Sequence, residues 1–127
     1  MTIMGATPLT ILAVDNEPSV TLSLRYIFAG PRYELTGADS GADALARLDA
    51  NADRYHVIIV DQKMPNQTGV ELVSELRKRG IAGKIMVLSA HLSSEVREAY
   101  EQMDVHVMFE KPFDISQLRS AVDRLAA

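Results

Sequence analysis

The sequence predicts an α/β fold: a doubly wound, five-stranded parallel sheet in the order 2-1-3-4-5 with helices on both faces. Two observations predict the architecture. Short apolar runs alternate five times with amphipathic helical patterns, and such alternation means a parallel sheet reached by right-handed crossovers. The central run, Val57, Ile58, Ile59 and Val60, is wholly β-branched, as in a strand covered by helices above and below. The order is the common one for five strands of this kind, and it sets the first and third strands side by side at the switch point.

In chain order, residues 9–14 (LTILAV) form the first strand, which ends in Asp15, Asn16 and Glu17. Pro18 falls at the first helical position, where its missing N–H is harmless. Val20, Leu24, Ile27 and Phe28 then mark an amphipathic helix that Gly30 and Pro31 stop. Residues 33–36 are a second strand. Ser40 caps a helix over 41–50 whose stripe is Ala44, Leu45 and Leu48. The third strand, 57–60, ends in Asp61, and Pro65, Asn66 and Gly69 form the loop beyond it. Thr68 and Glu71 are spaced as a capping box for a helix that carries Leu72, Val73 and Leu76 to Gly80. Residues 85–88 are a fourth strand leading to Ser89, Ala90 and His91. Ser93 or Ser94 caps a helix to about Gln102, and 105–109 form a fifth strand before Glu110, Lys111 and Pro112. Asp114 caps the last helix, with Ile115, Leu118, Val122 and Leu125 as its stripe.

At 127 residues the chain is read as one domain, 1–127, with 1–8 as an N-terminal extension. Apolar residues at 47% and charged ones at 24% are globular composition. The net charge is −4 and the basic residues are scattered, which argues against direct nucleic-acid binding. No cysteine is present, so neither a disulfide framework nor a thiolate metal site is available. No apolar run is long enough to span a membrane and no signal peptide is visible, so no membrane partner is expected and a cytoplasmic setting is the default.

Ligand chemistry in open α/β sheets sits beyond the carboxyl ends of the strands. There this chain offers Asp15, Asn16 and Glu17, then Asp61, then Ser89, then Lys111. Taken singly, Asp and Ser after a strand are caps or turn formers and Lys is solvated. Taken together they bring carboxylates, a hydroxyl and an ammonium to one rim. Clustered carboxylates repel unless a cation intervenes, and Mg²⁺ suits such oxygen donors. These are the parts needed for phosphoryl transfer onto an aspartate: Asp61 as nucleophile, with Lys111 and the Ser89 hydroxyl holding phosphoryl oxygens.

VDNEP at Asp15, VDQKMPNQTGVEL at Asp61, LSA at Ser89 and EKPF at Lys111, in register over nearly the whole chain, resemble the receiver domain of two-component response regulators, the single-domain chemotaxis-regulator type with a flavodoxin-like sheet. The resemblance implies that Asp61 takes a phosphoryl group from the phosphohistidine of a sensor histidine kinase or a histidine phosphotransfer protein. A downstream effector protein, or an output domain missing from this chain, would read the result. It implies a signalling protein rather than an enzyme, with at most self-phosphorylation and self-dephosphorylation. It also implies Mg²⁺ held by Asp15, Asn16, Asp61 and the Lys63 carbonyl, a cis Lys111–Pro112 bond, and Glu17, Ala90 and His91 as auxiliary positions. Two positions depart from the family. Asn16 stands where a second acid usually binds the metal. Met108 stands where an aromatic ring usually switches together with the hydroxyl residue, here Ser89, while Phe109 is expected to face the other side of its strand.

Three other readings compete. Haloacid-dehalogenase phosphatases also use an aspartate after a strand, but need a second Asp where Lys63 stands. A flavodoxin-like flavin binder would want a Ser/Thr/Gly-rich loop in place of Asp15, Asn16 and Glu17. A degenerate receiver, acting by phosphorylation-independent binding, rests on Asn16 and Met108.

Overall fold

The computed structural model describes residues 7–51, 54–81 and 83–127. Of the expected N-terminal extension, residues 1–6 lie outside the described residues. Among the described residues the elements are β1 (Leu9–Val14), α1 (Pro18–Ile27), β2 (Tyr33–Ala38), α2 (Gly41–Asn51), β3 (Val57–Val60), α3 (Gly69–Lys78), β4 (Lys84–Ser89), α4 (Ser94–Gln102), β5 (Val107–Glu110) and α5 (Ile115–Ala126). The five strands are parallel, in the expected order β2-β1-β3-β4-β5.

Alternation along each strand divides the core into two layers. Leu12, Val14, Ile58, Val60, Ile85 and Val87 pack against Ala44 and Leu48 of α2, Leu72, Val73 and Leu76 of α3, and Tyr100 of α4. Ile11, Ala13, Val57, Ile59, Met86 and Leu88 face the other way, onto Leu24 and Ile27 of α1 and Leu118, Ala121 and Val122 of α5. All four residues of β3 are buried, as its unbroken apolar run requires. Met108 packs in the first layer and Phe109 in the second, so these neighbours face opposite sides as expected.

The caps form as the sequence predicts. Thr68 and Glu71 make the reciprocal capping box, and Ser40, Ser93 and Asp114 accept from Asp43, Val96 and Gln117 N–H groups. Four boundaries or packing roles differ. Helix α3 stops at Lys78 rather than Gly80, because Gly80 takes the left-handed conformation at φ 75° that closes a helix. Strand β5 starts at Val107 rather than residue 105. Asp104, at φ 63°, and the Val105 N–H bonded to the Tyr100 carbonyl are still engaged in ending α4. Strand β2 runs on to Ala38, paired with β1 along its whole length. Ile115, expected in the apolar stripe, is 52% exposed as the first residue of α5, directly after its Asp114 N-cap.

Candidate functional site at the carboxyl edge of the sheet

Val14 and Val60 are register partners on adjacent strands, and the Asp61 N–H donates to the Val14 carbonyl at 3.1 Å. The residues that follow each strand, Asp15 and Asp61, therefore emerge side by side. Both are buried, at 5% and 4% exposure. Burial raises the Asp15 pKa first of all; the Glu17 N–H, donated to Asp15 Oδ1 at 2.9 Å, opposes the rise, the Asp61 charge adds to it, and Lys111 counters it in part. The Lys111 ammonium lies 3.7 Å from Asp15 Oδ2. Ser89, at the end of β4, is 1% exposed, and its Oγ is a buried side-chain polar atom without a hydrogen-bond partner among the described residues. Buried hydroxyls are ordinarily partnered.

The other expected site residues are placed as follows. Asn16 is exposed and lines, with Asp15, Thr21, Arg25, Asp39 and Asp43, an open cavity of about 300 Å³ beside the acids. Glu17 occupies the N-cap of α1 without a side-chain capping bond. The Lys63 side chain is exposed, and its N–H donates to Asp61 Oδ1 at 3.3 Å. Ala90 is exposed. His91 faces Glu110 at 3.6 Å. Met108 is half-buried, and the Lys111–Pro112 peptide is cis. Among the described residues no group of three His, Asp or Glu side chains is arranged to hold a metal. A larger cavity, about 550 Å³, lies at the opposite edge; its Lys84, Asp104 and His106 are all exposed, and among the described residues no buried carboxylate or hydroxyl lines it.

Two arrangements here escape a reading of the sequence. Glu110 accepts from the Leu92 N–H at 3.3 Å and from Arg97 at 2.8 Å, which ties the β4–α4 loop to β5 and holds the Glu110 carboxyl below its usual range, the Leu92 N–H being the larger cause. Tyr100, wholly buried on α4, donates to Gln62 Oε1 at 2.5 Å. Tyr100 had a visible signal, as the large apolar ring in an otherwise polar short helix.

The model of the response regulator receiver domain family matches residues 11–123, and the chain belongs to that family, whose members are signalling domains. It is 29% identical to the transcriptional regulatory protein GlrR of Escherichia coli over 120 residues, 94% of this chain and 27% of that protein. It is 24% identical to sporulation initiation phosphotransferase F of Bacillus subtilis, over 90% of each. Among solved structures, chemotaxis protein CheY4 of Vibrio cholerae superposes with a TM-score of 0.83 at 28% identity, covering 93% of this chain and 98% of that one. The chain thus spans about a quarter of the length of one curated relative and nearly all of another. No helix among the described residues is long and apolar enough to cross a membrane.

Proposed function

We propose that this chain is a phospho-accepting receiver in which Asp61 takes a phosphoryl group from the phosphohistidine of a sensor histidine kinase or histidine phosphotransfer protein. The observation that carries the reading is the buried, unpartnered Ser89 hydroxyl at the same rim as the buried Asp61. A buried donor left without an acceptor is costly, and a phosphoryl oxygen arriving at Asp61 would supply one.

In the proposed reaction an Asp61 carboxylate oxygen bonds to phosphorus as the phosphorus–nitrogen bond to the donor imidazole breaks, and the imidazole leaves with its electron pair. The Ser89 hydroxyl donates to one phosphoryl oxygen. Lys111, 3.7 Å from Asp15, exchanges part of that pairing for a second phosphoryl oxygen. The paired acids and the raised Asp15 pKa fit a site that takes a cation. Asp15, Asn16, Asp61 and the Lys63 carbonyl would hold Mg²⁺, which when bound neutralises charge on the phosphoryl oxygens. Such a domain signals in the cytoplasm by protein contact, through an effector or an output domain, and at most phosphorylates and dephosphorylates itself.

The degenerate receiver is the second reading, favoured by Asn16 and the lack of a three-acid cluster among the described residues. Intact-mass measurement after incubation with acetyl phosphate and Mg²⁺ decides between them. One phosphoryl adduct is expected. Its absence supports the degenerate receiver, and steady turnover of generic phosphate esters supports an aspartate-nucleophile phosphatase.

A further inference from the structure

Helix α4 is hydrogen-bonded to the Asp61 loop through the buried Tyr100. Gln62, the residue after Asp61, accepts the Tyr100 hydroxyl at 2.5 Å and the Val70 N–H at 3.0 Å on the same amide oxygen, while its backbone carbonyl accepts the Gly69 N–H at 3.0 Å. The crowding there is severe. A Cβ at Gly69 would collide with the Tyr100 hydroxyl and lie 2.7 Å from the Asp61 carbonyl oxygen, so only glycine lets the loop, the start of α3 and the Tyr100 ring close together.

Tyr100 is fully buried, and burial followed by the nearby Asp61 charge raises its pKa. The hydroxyl therefore stays protonated as a donor. Met108, which occupies the β5 position discussed above, is half-buried against the same core layer as Tyr100. It has no hydroxyl and a flexible thioether chain, so it fills space without making a directional contact. The polar link from the Asp61 loop to the helix layer runs instead through Gln62.

We infer that the Gln62 amide and the Tyr100 hydroxyl form the link by which α4 reads the state of Asp61, in place of an aromatic side chain on β5. The inference rests on Asp61 being the phosphoacceptor. Any shift of the loop that accompanies a phosphoryl group on Asp61 moves the Gln62 amide, and the short hydrogen bond passes that displacement to Tyr100 and so to Ser94–Gln102. Tyr100 is a positioning residue here: it touches neither phosphoryl group nor metal.

The test uses beryllofluoride with Mg²⁺ as the phosphoryl mimic and backbone amide chemical shifts as the readout. In the wild type, shifts are expected in the loop 62–70, around Ser89 and along α4. Tyr100→Phe keeps the ring and leaves Gln62 Oε1 bonded to the Val70 N–H. It should retain the loop and Ser89 responses while the α4 response falls at least twofold. Gln62→Met should lose the α4 response to the same extent, with its loop response altered separately because the Val70 N–H also loses its acceptor. The double variant should show no further loss in α4. An α4 response in Tyr100→Phe equal to that of the wild type, with the loop response present, overturns the inference alone. Absence of any loop response in the wild type overturns the phosphoacceptor reading, and the inference with it.

Discussion

At the amino edge of the sheet polar groups are held by protein; at the carboxyl edge two carboxylates are buried side by side and one buried hydroxyl is unpartnered among the described residues. Arg77 donates from Nε to the Met103 carbonyl at 3.1 Å and from Nη1 to the carbonyls of Ile81 and Gly83 at 2.9 and 3.2 Å, gathering the loops that lead into β4 and β5. The Thr10 N–H donates to His56 Nδ1, and the His56 N–H returns to the Thr10 carbonyl, each at 2.9 Å. Across the same strands, Ser89 Oγ has no partner among the described residues and Asp15 is buried beside Asp61. One edge ties its loops together through hydrogen bonds, and the other crowds two buried carboxylates, a crowding that the proposed cation would relieve.

The widest separation between the edges should come from Asp61→Asn and Arg77→Ala. Asp61→Asn removes the nucleophile and one of two crowded carboxylates. The acetyl phosphate adduct should vanish, while stability in metal-free buffer stays equal or rises. Arg77→Ala strips a donor from three carbonyls at once and should cost about 2 kcal/mol by urea unfolding, with the adduct still forming in the folded protein. A full adduct on Asp61→Asn, or an Arg77→Ala protein that unfolds like the wild type, would break the contrast.

That contrast also explains which features the sequence makes legible. The strands follow from apolar runs and chain alternation, and their order is the common one for a doubly wound sheet rather than something these residues dictate. Asp15, Asp61, Ser89 and Lys111 each stand just after or at the end of a strand. The Tyr100–Gln62 bond joins residues 38 apart and depends on how α4 settles against α3. The Glu110 bonds to Arg97 and Leu92 likewise depend on where the β4–α4 loop lies. His91 shows the same limit: chain position brings it near the rim, but its ring turns to Glu110. Ile115 obeys the helical period and is exposed all the same, since it opens α5 and the period does not say how far the end of a helix is covered.

Lys111→Ala should have the next largest effect. The adduct should still form, more slowly, but the phosphate-dependent chemical-shift changes around Ser89 and Met108 should be lost, because the ammonium is the group proposed to connect a phosphoryl oxygen with the end of β5. Wild-type changes in the variant would remove Lys111 from that role.

A smaller effect should appear in the pH dependence of stability. Folding raises the Asp15 pKa, through burial first and the Asp61 charge after the opposing Glu17 N–H. The relative stabilisation from a group with a raised folded pKa is complete below its unfolded value, near 3.8, and is lost as pH rises through the folded value. Ionised Asp15 therefore costs stability at neutral pH. Asp15→Asn should be the more stable protein at pH 7, and its advantage should shrink as pH falls through the folded Asp15 pKa. Urea midpoints measured down a pH series would show this; a gap that is constant or widens toward acid contradicts the proposed crowding.

The smallest effect, and the one that most sharpens the comparison, belongs to Asn16. It is exposed on the cavity beside Asp15, and its amide oxygen can coordinate Mg²⁺ without the full charge that draws a divalent ion from water. Asn16→Asp should tighten Mg²⁺ binding, more so at low ionic strength where Coulomb attraction is less screened. The same change sets another negative charge beside Asp15, Glu17 and Asp61, so in metal-free buffer it should lower stability, by a few tenths of a kcal/mol to about 1 kcal/mol for an exposed position. The two consequences have opposite signs. A ligand that binds only the folded state stabilises it with the logarithm of its concentration over its dissociation constant. Thermal unfolding followed through an Mg²⁺ titration should thus show Asn16→Asp starting below the wild type and gaining more. If the two proteins start together and gain equally, position 16 lies outside the metal site, and the unfavourable contacts at the carboxyl edge are not there to receive a cation.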